Sequence, residues 1–142
     1  MASVFDVAAY ILKKQGGMTS MKLQKLVYYA QAWSLVWDER PIFNEPIEAW
    51  ANGPVVPALF KAHQGEFTVT KEPKGDISKL DGDARDTINA VLRTYGDKSA
   101  NWLSALTHRE APWADARRGL SDGVRGNSVI SHGAMADYYG NL

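Results

Sequence analysis

A chain of 142 residues is the length of one domain, enough to bury about 68% of its unfolded surface in a core without staples. Apolar residues make up 45% and charged residues 23%, and sixteen Lys and Arg balance sixteen Asp and Glu, so the formal net charge is zero. Those values exclude disordered, collagenous and membrane classes and argue against a duplex binder, which needs a positive field; the lack of cysteine excludes disulfide scaffolds, thiolate zinc sites and thiol catalysis. Charges of both signs are mixed in each third of the chain, with no polybasic or acidic tail. Neither a signal peptide nor an apolar run approaching the ~18 residues of a membrane span is visible. The expectation is a cytoplasmic protein with no membrane partner.

In chain order, Ser3 caps a first helix with Asp6 in its first turn, and Val4, Val7, Ala8, Ile11 and Leu12 form its apolar stripe. Gly16-Gly17 stops it. Thr19 or Ser20 caps a second helix running to about Trp37. Leu23, Leu26, Val27, Ala30 and Trp33 mark one face, and Tyr28, Ala32, Leu35 and Val36 much of another. A helix apolar around most of its circumference belongs at the centre of a globule. Pro41–Phe43 and Ile47–Trp50 read as a small edge hairpin around Asn44-Glu45-Pro46, followed by an Asn52-Gly53-Pro54 turn. Pro57 opens a short helix through Ala62. Residues 64–82 read as an exposed loop with at most one edge strand. Asp81 or Asp83 opens a further helix closed by Gly96, and Ser99 caps another. Pro112 starts a short one, residues 119–128 form a loop, and Ser131 caps a last helix near Tyr138-Tyr139. The expected fold is mainly α with a small β-hairpin, a single compact helical domain over residues 1–142 built around one central buried helix.

The chemistry-bearing motifs are few. The three histidines show no pair at the i, i+4 spacing of a helical zinc site, so neither a metal nor a cofactor is expected. No phosphate-cradling glycine pattern and no G-x-S-x-G elbow occur. No enzymatic activity is expected. Glu48, flanked by Ile47, Ala49 and Trp50, is the one carboxylate in an apolar setting; it either points outward from a strand or pairs with a cation, the second being favoured. Lys22 and Lys25, one turn apart after Gly16-Gly17, suggest a helix-turn-helix alternative. The residues after Lys25 are too apolar for a base-reading face, so the buried-helix reading leads. Trp37, Trp50 and Trp113 lie near breaks in structure, where aromatics form core rims or interface anchors.

Three blocks taken together resemble a known family. They are Met18-Thr19-Ser20-Met21-Lys22-Leu23-Gln24-Lys25-Leu26-Val27-Tyr28-Tyr29-Ala30-Gln31-Ala32-Trp33, then Pro46-Ile47-Glu48-Ala49-Trp50-Ala51-Asn52-Gly53-Pro54-Val55-Val56-Pro57, then Leu106-Thr107-His108-Arg109-Glu110-Ala111-Pro112-Trp113-Ala114-Asp115-Ala116-Arg117. In that order and spacing they resemble the Panacea domain, the family of the SocA-like antitoxins and the phage-associated GepA proteins. The residue before Gly53, aromatic in many members, is Asn52 here. The resemblance implies an antitoxin of a toxin-antitoxin system, often encoded beside its toxin or in a prophage, that neutralises a cognate protein toxin by direct binding. It leaves a second role open: an adaptor delivering its toxin to a Clp protease. A DNA-binding autoregulator and a hydrolase built on His108 and Glu110 are the weaker alternatives. Self-association is left open. The same blocks nominate Lys22, Gln24, Tyr28, Glu48, Trp50, Gly53, Pro54, His108, Glu110 and Trp113 as residues that bind the partner or hold the scaffold. If they meet on one surface, Lys22 and Glu48 form an ion pair and His108 takes a hydrogen bond.

Overall fold

The computed structural model describes residues 1–142. Its longest element is α2, Ser20–Trp37, started by Thr19, whose hydroxyl accepts the Lys22 amide. Leu23, Leu26, Val27, Tyr28, Tyr29, Ala30 and Ala32 are all buried, on every side of the helix. A helix can be buried all round only if neighbours enclose it. Here α1 (Val4–Gln15), α4 (Gly82–Tyr95), α5 (Ala100–His108) and α7 (His132–Gly140) all pack on it. The sequence expectation of a mainly α fold around a central buried helix holds.

Helix starts follow local chemistry. Ser3 and Asp6 form a capping box on α1, and Asp81, Ser99 and Ser131 cap α4, α5 and α7. The second Asp6 oxygen accepts the Asp76 amide at 2.7 Å, which ties α1 to a single 3-10 turn at Ile77–Lys79. Residues 64–82, read from the sequence as an exposed loop with at most one edge strand, contain β4 at Thr68–Val69 and bury Val69, Glu72 and Leu80. Strand β4 pairs antiparallel with β1 (Met18–Thr19).

The hairpin lies further along the chain than the sequence indicates. It consists of β2 (Glu48–Trp50) and β3 (Gly53–Val55), with Glu48 opposite Val55 and Trp50 opposite Gly53. Pro41–Phe43 does not join it. The Ile42 amide and the Phe43 carbonyl are bound instead by the buried side chain of Gln31, at 2.8 and 2.7 Å. Two turns earlier on α2, Gln24 does the same for Val56, accepting its amide at 2.8 Å and donating to its carbonyl at 3.3 Å. These two amides satisfy backbone groups that would otherwise be buried without partners. The free edge of β2 is covered from far along the chain. Ala49 donates to the Ser128 carbonyl, and Ile130 donates to that of Ile47, both at 2.8 Å.

Candidate functional site

The start of α2, the hairpin and the short helix α3 (Pro57–Ala62) do not close against one another. They leave an open groove of about 670 Å³ whose far wall is the loop at residues 125–127. That volume is in the range of ligand and peptide sites. Gln24, Glu48 and Trp50 of the nominated residues line it, together with Lys25 and Phe60.

The hairpin is held over α2 by a close approach at Gly53. Its φ is +121°, and a Cβ there would lie 2.5 Å from Cε of Lys25 and 3.1 Å from the Thr107 hydroxyl. Only glycine accepts both conditions. Pro54, buried beside it, pairs across with Ala49. The Lys25 side chain is thus pressed beneath the hairpin and is 1% exposed. Its burial lowers the ammonium pKa from 10.5 to about 8.

Behind the hairpin stands a stack of three planar groups. The His108 and Trp113 rings are parallel, 3.9 Å apart at 3°. The Arg117 guanidinium lies over the Trp113 ring, 4.8 Å from its centroid. Trp113, on α6 (Ala111–Ala116), donates its indole N–H to the Trp50 carbonyl at 2.8 Å. Arg117 donates to the carbonyls of Ala49, Ser121 and Val124, fastening the hairpin and the 119–128 loop together. Burial holds the His108 imidazole below its ordinary pKa, and the Lys25 and Arg117 cations act in the same direction against Asp122.

The remaining nominees sit elsewhere. Glu110 is buried in the core, where its Oε1 accepts hydroxyl hydrogen bonds from Tyr29 at 2.7 Å and Tyr139 at 2.8 Å. Tyr28 joins this cluster through a 3.0 Å hydroxyl contact with Tyr139. Burial raises the pKa of Glu110 and of all three tyrosines. Two expectations are corrected. No ion pair joins Lys22 to Glu48: Lys22 is not on the groove wall, and the Glu48 carboxylate accepts the Trp50 indole N–H at 2.8 Å. His108 makes no hydrogen bond; its Nε2 is buried and unpaired because the ring is committed to the stack on Trp113. Nor do His108 and Glu110 share a site, since one faces the hairpin and the other the tyrosines. Lys25 and Arg117 lie within the resemblance blocks, yet nothing local to them marks either as a site residue. A lysine in a helix's first turns reads as solvated, and only the hairpin laid across it reveals otherwise.

The family model for the Antitoxin SocA-like Panacea domain matches residues 23–114, a stretch that holds most of α2, the hairpin, the stacked rings and Glu110. The chain belongs to this SocA-like family. A protein named Antitoxin SocA, from Caulobacter vibrioides (strain NA1000 / CB15N), is 33% identical to it. The match covers 75% of this chain and 66% of that protein, so the chain spans about two thirds of the relative's length. No solved structure matches. The family match begins at Leu23 and ends at Ala114, so the groove's hairpin wall lies inside it and the 125–127 wall outside. No helix is long and apolar enough to cross a membrane.

Proposed function

We propose that this protein is an antitoxin that neutralises a cognate protein toxin by binding it directly and covering the surface the toxin works with. Family membership across residues 23–114, together with the likeness to Antitoxin SocA, carries the reading. The chemistry of the chain supports it. Glu110 is tied into the tyrosine cluster and His108 into the ring stack. The open groove has the form of a recognition surface. Binding tight enough to neutralise calls for ~1,600 Å² of total interface with a few aromatic or arginine anchors. Trp50 and Phe60, in edge contact at 4.9 Å on the rim of the groove, are anchors of that kind.

The test is co-expression with the gene adjacent to this one, scored for growth rescue and for co-purification of a stoichiometric complex. Rescue with a stable complex is expected. Rescue without a complex, accompanied by loss of the toxin that depends on a Clp protease, would replace direct neutralisation by proteolytic delivery. No rescue by the folded protein would overturn the antitoxin reading.

A further inference from the structure

The groove contains a charge that the fold leaves without a counterpart. Lys25 is nearly wholly buried, yet its ammonium enters no ion pair, and no side chain or carbonyl of the chain accepts a hydrogen bond from it. Of the neighbouring polar groups, the Gln24 amide is engaged by Val56 and one Glu48 oxygen by the Trp50 indole, and neither side chain is bonded to Lys25. An isolated buried cation is costly, and folds normally pair it or leave it in water. Arg125 on the opposite wall of the groove adds a second cation, and Glu48 is the one acidic side chain that lines it. Such a site calls for an anion from outside the chain. The rest of the groove specifies what carries the anion. Trp50 and Phe60 present aromatic faces at its rim, and Asn52 and Asn127 present side-chain amides with no partner in the chain. Side-chain amides flanking an apolar strip suit the alternating donors and acceptors of an extended peptide backbone.

We propose that this groove is where the toxin docks, and that it takes an extended toxin segment with an Asp or Glu side chain on Lys25 and a large apolar side chain against Trp50 and Phe60. The proposal rests on the antitoxin reading for the identity of the partner, and on charge complementarity for the chemistry of the segment.

Two arms separate the groove from that reading. In the first, a random peptide library displayed on phage is panned against the whole wild-type chain and against Lys25→Met, which keeps most of the aliphatic stem. Wild type is expected to enrich peptides with an acidic residue near an aromatic or large aliphatic one. A synthetic copy of the enriched peptide should bind Lys25→Met at least tenfold more weakly, and its Glu→Gln or Asp→Asn form should bind wild type at least tenfold more weakly. Phe60→Ala, a change at a half-exposed position, supplies the same readout if Lys25→Met fails to fold. In the second arm, the enriched peptide is titrated into the antitoxin–toxin complex and is expected to displace the toxin. Enrichment of neutral or basic peptides, or equal affinity for wild type and both variants, would overturn the groove proposal while leaving neutralisation intact. Peptide binding that never displaces the toxin would overturn its assignment to toxin docking. Failure of neutralisation with the peptide result intact would overturn the antitoxin reading alone.

Discussion

Lys25 shows how one side chain can be set against the stability of its own fold. Its folded pKa of about 8 lies below the ordinary 10.5, so the folded state gives up the proton more readily than the unfolded one. Below pH 8 both states hold the proton and the full penalty applies, on the order of 3 kcal/mol. The penalty shrinks as pH rises from 8 to 10.5 and vanishes above that. Lys25→Met should therefore be more stable than wild type at pH 7, and the gain should fall away in urea titrations at pH 9 and pH 10. A variant less stable than wild type at pH 7 would show that the ammonium is paired in solution. Glu110 follows the opposite sign. Burial raises its pKa, so its contribution is complete below the ordinary carboxylate pKa and declines as pH rises through the folded value. The stability of Glu110→Gln relative to wild type should then increase from pH 4 to pH 8, the neutral amide oxygen still accepting from Tyr29 and Tyr139. A gap that narrows over that range would mean that hydrogen bonding to the carboxylate outweighs its desolvation. Neither effect is legible in the sequence, because burial of Lys25 and Glu110 is imposed by elements that lie far from them along the chain.

Helices and hairpin differ in how openly the sequence declares them, and the difference is one of range. Each main helix begins at a residue whose side chain bonds its own first turn: Ser3, Thr19, Asp81, Ser99, Ser131. Those signals are local: the sequence places the caps Ser3, Ser99 and Ser131 outright and narrows the other two starts to Thr19 or Ser20 and Asp81 or Asp83. The hairpin is fixed by distant partners. Ser128 and Ile130 bond the edge of β2, Gln24 bonds the residue that follows β3, and Arg117 bonds Ala49. A local reading finds the prolines and places the turn at Asn44–Pro46. It cannot find that Gln31 takes up the backbone of Ile42 and Phe43. The site shares this limit: the resemblance blocks name Glu48 and Trp50, but not the loop that walls them in. Arg117 is the testable link. Arg117→Met retains much of the packing on Trp113 and removes the bonds to Ala49, Ser121 and Val124. Charged hydrogen bonds contribute ~1.5–3 kcal/mol each and are not additive, so a loss of ~2–4 kcal/mol is expected. Amide exchange at Ala49 and Ile130 should accelerate before that of α2. Uniform acceleration across the chain would show that the loop and hairpin do not open as a separate unit.

At the level of the whole molecule, thirty buried apolar residues form one cluster that includes α1, α2, α4, α5 and α7 as well as Phe43, Ile47 and Val56 from the irregular segments. Because α2 lies inside that cluster, damage to it is felt by every layer at once. Leu26 is wholly buried near its middle. Leu26→Ala removes three heavy atoms and leaves a cavity that the surrounding helices can only partly fill, at a cost of ~2–5 kcal/mol. The tryptophans make the consequence observable. Trp33 and Trp37 stack on each other at the end of α2, whereas Trp50 and Trp113 report on the hairpin and α6. If the central helix couples these regions, tryptophan fluorescence and far-UV circular dichroism should give coincident urea transitions in wild type and in Leu26→Ala, both shifted to lower denaturant by the substitution. Two separated fluorescence steps would mean that the hairpin end unfolds independently of the helical layers. A midpoint moved by less than a tenth would mean that Leu26 is not in the core. Coincident transitions would also bear on recognition, since a groove built jointly from α2, the hairpin and the 125–127 loop keeps its shape only while all three stay folded together.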